Sequence, residues 1–184
     1  MKTKLTVVIV VITGLSFLPA TAEDNPALHE FQQFMSPFLD GEWSYTTRMT
    51  DEAGAVTFEG TDLRRYRRGM RNRYIIEDIY HEDGGEPQHV AVHLIGFDVP
   101  SGTIRISLFW PWQGTSIAEV NATIVAGDSG SKKMQFIVSI PGQEFPKTDF
   151  TCQFDDAGDY RCEAYATTAD GTRYKSNEEV FTRR

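Results

Sequence analysis

Basic residues, cysteine and long apolar runs are all scarce in this chain, and each scarcity narrows what it can do. Lys and Arg together number 18 against 26 Asp and Glu, for a formal charge of -8. An acidic surface repels nucleic acid and anionic membrane surfaces, so neither is an expected partner. Cys152 and Cys162 are the only cysteines. Two thiols with no nearby histidine supply too few ligands for a zinc centre. Neither a Gly-x-Ser-x-Gly elbow nor a His-Glu-x-x-His motif occurs, which removes two recognisable hydrolase signatures. No cofactor, metal or catalytic set is expected.

The one long apolar run lies at the start. Lys2 and Lys4 precede an apolar core from Leu5 to Leu18, and Ala20-Thr21-Ala22 follows as a small-x-small site. This is the pattern of a secretory signal peptide cut between Ala22 and Glu23. The run is too short and poorly flanked for a lasting transmembrane span. The expected organisation is a signal at 1–22 and one domain at 23–184. That domain is long enough to bury a core. Its expected location is periplasmic or secreted, with no integral membrane association after cleavage.

Between the cysteines, Gln153-Phe154-Asp155-Asp156-Ala157-Gly158-Asp159-Tyr160-Arg161 reads as strand, turn, strand. A three-residue loop with glycine in the left-handed position fits this stretch. Centring the turn on Ala157 sets Cys152 opposite Cys162, close enough for a disulfide in an antiparallel pair. An exported protein meets an oxidising compartment. Closing so short a loop contributes at most ~3 kcal/mol.

Asn25 and Pro26 suit an N-cap and a first helical position. Leu28, Phe31, Phe34, Met35 and Phe38 then recur at helical spacing. Ser36-Pro37 ends or kinks this helix. Its aromatic face predicts either a cap on one end of the domain or a lid over a ligand mouth. From Gly41 onward the pattern has period two and frequent turn signals. Strands are expected at Glu42–Thr50, Ala55–Arg67, Met70–His81, Gln88–Val99, Thr103–Trp110, Thr115–Val125, Lys132–Ile140, Phe145–Phe154, Tyr160–Thr168 and Thr172–Thr182. No helices separate them, which argues against a parallel sheet. The expected fold is all-β, an antiparallel up-and-down barrel of about ten strands with a short N-terminal capping helix. Closure removes the exposed edges that so many meandering strands would leave. A sandwich is the alternative.

Gly41-Glu42-Trp43 resembles the Gly-x-Trp motif that opens the first strand of lipocalin-like, or calycin, barrels. The chain is similar over most of its length to the bacterial family called domain of unknown function 1579. The resemblance rests on that motif, on Gly96-Phe97-Asp98 with Gly102 after it, and on the closing Thr182-Arg183-Arg184. It implies a lipocalin-like barrel and no settled activity. The chain also resembles nitrobindin-like haem barrels in outline. Those hold iron through a late histidine, whereas the last histidine here is His93, so the ligand position has no counterpart.

Arg64, Arg65, Arg67, Arg68, Arg71 and Arg73 cluster around Gly69, the most unusual local feature of an acidic chain. Strand alternation puts Arg65 and Arg67 on one face and Arg64, Tyr66 and Arg68 on the other. Inward arginines would pair a ligand carboxylate or phosphate. Outward ones would form a ladder with Glu59, Glu77 or Asp78. His89 and His93 are expected to face solvent. Residues four apart on a strand are too distant to share a metal ion easily. Trp110-Pro111-Trp112 joins two strands, either as barrel-end packing or as a portal or partner-binding patch.

Three readings follow. The first is a barrel that binds a small hydrophobic or amphipathic ligand, with any acidic head held by Arg65 or Arg67. Trp43, Tyr74, Ile76, Ile106, Trp110 and Trp112 complete the expected lining, floor or portal. The second is a filled barrel acting through its Trp110–Trp112 loop or arginine face. The third and weakest is an enzyme, which would gain support from His81 or His93 in a cleft beside a carboxyl of displaced pKa.

Overall fold

The computed structural model describes residues 25–39, 41–69, 74–109, 117–128, 131–138 and 147–184. The expected signal at 1–22 and its cleavage pair Ala22 and Glu23 lie outside them, as do Trp110, Trp112, Arg71 and Arg73.

Helix α1 spans Pro26–Met35 and runs into a 3-10 turn at Ser36–Phe38. The Asn25 side-chain oxygen accepts from the amides of Ala27 at 2.9 Å and Leu28 at 3.1 Å. This satisfies two of the donors that a helix start leaves open. The helix buries Leu28, Phe31, Phe34 and Met35, the stripe that its apolar spacing predicts.

Ten strands follow: β1 Glu42–Thr50, β2 Val56–Gly69, β3 Tyr74–His81, β4 Gln88–Asp98 and β5 Thr103–Phe109, then β6 Ile117–Ala126, β7 Lys132–Val138, β8 Thr148–Phe154, β9 Tyr160–Thr167 and β10 Arg173–Arg183. Each pairs antiparallel with its neighbour in sequence, and β1 also pairs with β10, so the sheet closes into a barrel. The expected antiparallel up-and-down barrel is therefore the observed fold, and the sandwich is not. Among the described residues no helix is long and apolar enough to cross a membrane.

The helix closes one end of the barrel. Phe38 is at the centre of that end, with its ring centroid 5.1 Å from Trp43, 4.8 Å from Tyr66, 5.2 Å from Phe154 and 4.8 Å from Tyr160. Trp43 is buried and its Nε1 donates to the Phe38 carbonyl at 3.3 Å. The indole thus brings its polar atom to a partner while its ring fills the floor, as burial of tryptophan demands.

The β8–β9 hairpin turns through Gly158 at φ 86°, a conformation that glycine adopts without a Cβ clash. Asp155 holds the turn by accepting from the amides of Ala157 at 2.9 Å and Asp159 at 3.0 Å. Cys152 is the direct register partner of Cys162, and the two form a disulfide.

Candidate functional site: a two-sided cavity inside the barrel

The barrel interior holds a cavity of about 330 Å³. Its wall divides along the strand order. Tyr45 comes from β1, Asp62, Arg64 and Tyr66 from β2, Glu77 from β3, His93 from β4 and Glu179 from β10. Those five strands are consecutive around the barrel. The opposite arc, β5 to β9, presents Ile106, Leu108, Val120, Met134, Phe136, Val138, Phe150 and the Cys152–Cys162 disulfide. Among the described residues, every carboxyl, guanidinium and imidazole on the cavity wall belongs to the first arc.

Glu77 is the hub of that arc. One carboxylate oxygen lies 2.7 Å from His93 Nδ1. The other accepts from the Tyr66 hydroxyl at 2.8 Å and, more weakly, from Arg64 Nη1 at 3.4 Å. Burial alone would raise the Glu77 pKa; His93, Arg64 and Tyr66 overcome it and hold the group at about 2. Burial pushes the phenols of Tyr45 and Tyr66 well up, so both remain protonated.

Arg64 is itself buried. Its Nη2 reaches Asp62 at 3.4 Å, and its guanidinium lies 4.0 Å above the Tyr45 ring. Its Nε has no hydrogen-bond partner among the described residues. Glu179 is held differently. Asn177 Nδ2 donates to it at 2.8 Å. Burial raises its pKa, against the opposing pull of Arg64, Tyr45 and Asn177.

The structure separates the residues expected to form the site. Ile106 lines the cavity. Trp43 lies in the floor rather than on the cavity wall. Arg65 and Arg67 point outward, which corrects their assignment to a ligand head. Arg65 Nε pairs with Glu42 at 2.7 Å, and its guanidinium carbon lies 4.7 Å over the Tyr80 ring. Arg67 Nε pairs with Asp78 at 2.8 Å. Their parity is opposite to that of Arg64 and Tyr66, whose inward face fixes theirs. Tyr74 and Ile76 share the outward parity and are likewise corrected. A Cβ at Gly96 would come within 2.6 Å of the Tyr74 ring, and one at Gly69 within 2.9 Å of Ile76.

The histidines are a second correction. His89 and His93 lie on opposite faces because the β3–β4 register shifts between Ile79 and Tyr80. Ile79 pairs with Ala91, but Tyr80 pairs with His89, so one residue of β4 is passed over. A bulge of this kind inverts the facing of everything beyond it. His93 is therefore inward. His89 stays outside, beside Asp78 at 3.4 Å and Tyr80 at 5.0 Å between centroids. His81 ends β3 opposite Asp62, on the parity of Glu77 and Ile79, but it is exposed at the strand end, 3.4 Å from Asp62, and does not line the cavity. His93, and not His81, faces the cavity beside a carboxyl of displaced pKa. Among the described residues, no group of three or more His, Cys, Asp or Glu is placed to hold a metal ion.

Arg64, Glu77 and Glu179 were missed as cavity residues. A signal existed for the last two. Glu77 is flanked at two-residue spacing by Ile75 and Ile79, and Glu179 by Asn177 and Phe181. A charge on the apolar parity of a strand marks a polar group facing a core.

No family model matches the chain, and no curated protein matches it. Among solved structures it is similar to the crystal structure of Rv2717c from M. tuberculosis, at a TM-score of 0.54 and 16% identity. The match covers 87% of this chain and 98% of the other. At that identity the likeness bears on the fold alone, and it agrees with the barrel.

Proposed function

We propose that the protein is an exported carrier or sensor that holds a small amphipathic ligand inside its barrel. The two-sided cavity carries this reading. An apolar body would pack against the β5–β9 arc, and a polar head would meet the Arg64–Glu77–Glu179 arc. Small-molecule sites combine an apolar wall with a few placed polar groups in this way. The disulfide supports export, since such bonds persist in oxidising compartments. Membership of the bacterial family of domain of unknown function 1579 is part of the same proposal and rests on the order and spacing of Gly41-Glu42-Trp43, Gly96-Phe97-Asp98 and Thr182-Arg183-Arg184.

The test is mass spectrometry of the organic extract from protein purified gently from an oxidising compartment, joined to titration with Nile red. A near-stoichiometric small molecule, or saturable fluorescence that Val120→Trp abolishes, is the expected result. An empty extract with no saturable fluorescence overturns the proposal.

One observation favours a surface role as a second reading. Met49, Val56 and Phe58 are exposed together near the tip of the β1–β2 hairpin, where Met49 pairs with Phe58. Phe58 is 53% exposed. If this patch makes an interface, the wild type will associate in sedimentation experiments and Phe58→Ser will not.

A further inference from the structure

Within the proposed ligand site, the polar groups are unequally satisfied. Both bases on the cavity wall already lie against carboxylates: Arg64 against Asp62 and Glu77, and His93 against Glu77. Glu179 has no base within ion-pair distance among the described residues, and its hydrogen bonds come from neutral groups, the Asn177 amide and the Tyr45 hydroxyl. It lines the cavity with Tyr45, Tyr160 and Phe181, and the Arg64 guanidinium covers one face of the Tyr45 ring. A carboxyl in a low-dielectric wall with no cation of its own is costly as an anion. A ligand anion placed there would face Asp62, Glu77 and Glu179 with one guanidinium already engaged.

We propose that the ligand is an apolar amine, whose ammonium pairs with Glu179 and lies against the surrounding aromatic rings while its hydrocarbon packs on the β5–β9 arc. This rests on the ligand-binding reading above and adds the charge of the head group. Aromatic faces attract a desolvated cation, and a charge-assisted hydrogen bond to Glu179 is stronger than a neutral one. Tyr45 on β1, Arg64 on β2, Glu77 on β3 and Tyr160 on β9 are the ionisable groups that act on Glu179. Burial raises its pKa and a bound ammonium would lower it again, so amine binding releases protons over the pH range between the two values.

The experiment is calorimetric titration of the disulfide-bonded protein with decylamine, decanol and decanoate, in two buffers of different ionisation enthalpy. Decylamine is expected to bind about tenfold or more tightly than decanol, with decanoate weakest and with proton release seen for the amine alone. Glu179→Gln is expected to remove the amine's proton release and to bring decylamine down to the affinity that the same variant shows for decanol. If that variant does not fold, the wild-type order and proton count decide alone. Decanol or decanoate binding as tightly as decylamine overturns the inference and leaves the carrier reading standing. Binding of none of the three overturns both.

Discussion

The two arcs of the barrel interior solve opposite physical problems. The β5–β9 arc is held by area. Ile106, Leu108, Val120 and Met134 are each less than a tenth exposed, and any well-fitting apolar side chain would do similar work. The β10–β1–β2–β3–β4 arc buries charge, which destabilises unless every member finds a partner. Glu77 has three such partners, two of them bases, whereas Glu179 is held by the neutral Asn177 and Tyr45. One arc therefore supplies generic stability. The other supplies constraints, and its least satisfied member is where a ligand has most to offer.

The largest effect should come from removing what both arcs stand on. Trp43→Ala takes away a floor residue that is 2% exposed and whose Nε1 is bonded to Phe38. A loss of ~3 to 5 kcal/mol in urea denaturation is expected. A loss near zero would show that the barrel floor does not depend on the Gly-x-Trp tryptophan.

Next comes the hub of the polar arc. The Glu77 pKa falls from 4.5 to about 2 on folding. A lowered carboxyl stabilises the fold fully above its unfolded pKa, and that contribution is lost as pH falls through the folded value. The window is therefore 4.5 down to about 2, with about 3 kcal/mol at stake. Glu77→Gln should lower stability at neutral pH and flatten its decline across that window. A decline of unchanged steepness in the variant would remove Glu77 from its central place in the arc.

The disulfide belongs to the apolar arc and should matter no more than this. Reducing Cys152–Cys162 closes no cavity and exposes no charge; it releases a short loop, for a loss of at most ~3 kcal/mol. Cooperative unfolding should persist at a lower denaturant midpoint. Complete loss of structure on reduction would mean that the apolar arc cannot hold by area alone.

This bond was legible in the sequence because a hairpin turn fixes register locally, over the ten positions that separate the cysteines. The strand count and the capping helix were legible for the same reason: alternation, glycine turns and the Asn25-Pro26 start are local signals. Of the expected lining, Ile106 faces the cavity, but the polar wall was not legible, because facing depends on parity and a bulge resets parity. One passed-over position opposite Ile79 and Tyr80 separates His89 from His93. A second shift, between Lys175 and Asn177, precedes the stretch of β10 that carries Glu179. The arginine run misled in another way. Its most charged-looking members, Arg65 and Arg67, are outside and paired on the surface, while Arg64 beside them is buried.

Glu179 gives the smallest expected change and the sharpest contrast with Glu77. Both are glutamates on inward strand positions, yet folding moves their pKa values in opposite directions. Burial raises Glu179 above its unfolded value. Folding therefore favours its protonated form, and that contribution is present below the unfolded pKa and lost as pH rises through the folded one. Glu179→Gln keeps the shape and the hydrogen bond with Asn177 but cannot ionise. It should leave stability near wild type in acid and raise it above the Glu179 transition, by less than Glu77→Gln lowers it, because a raised carboxyl can relieve its strain by holding a proton. Thermal melts of both variants across pH check this directly. A Glu179→Gln variant that is less stable than wild type at alkaline pH would mean that the carboxylate already has a cationic partner, and the asymmetry between the two carboxyls would disappear.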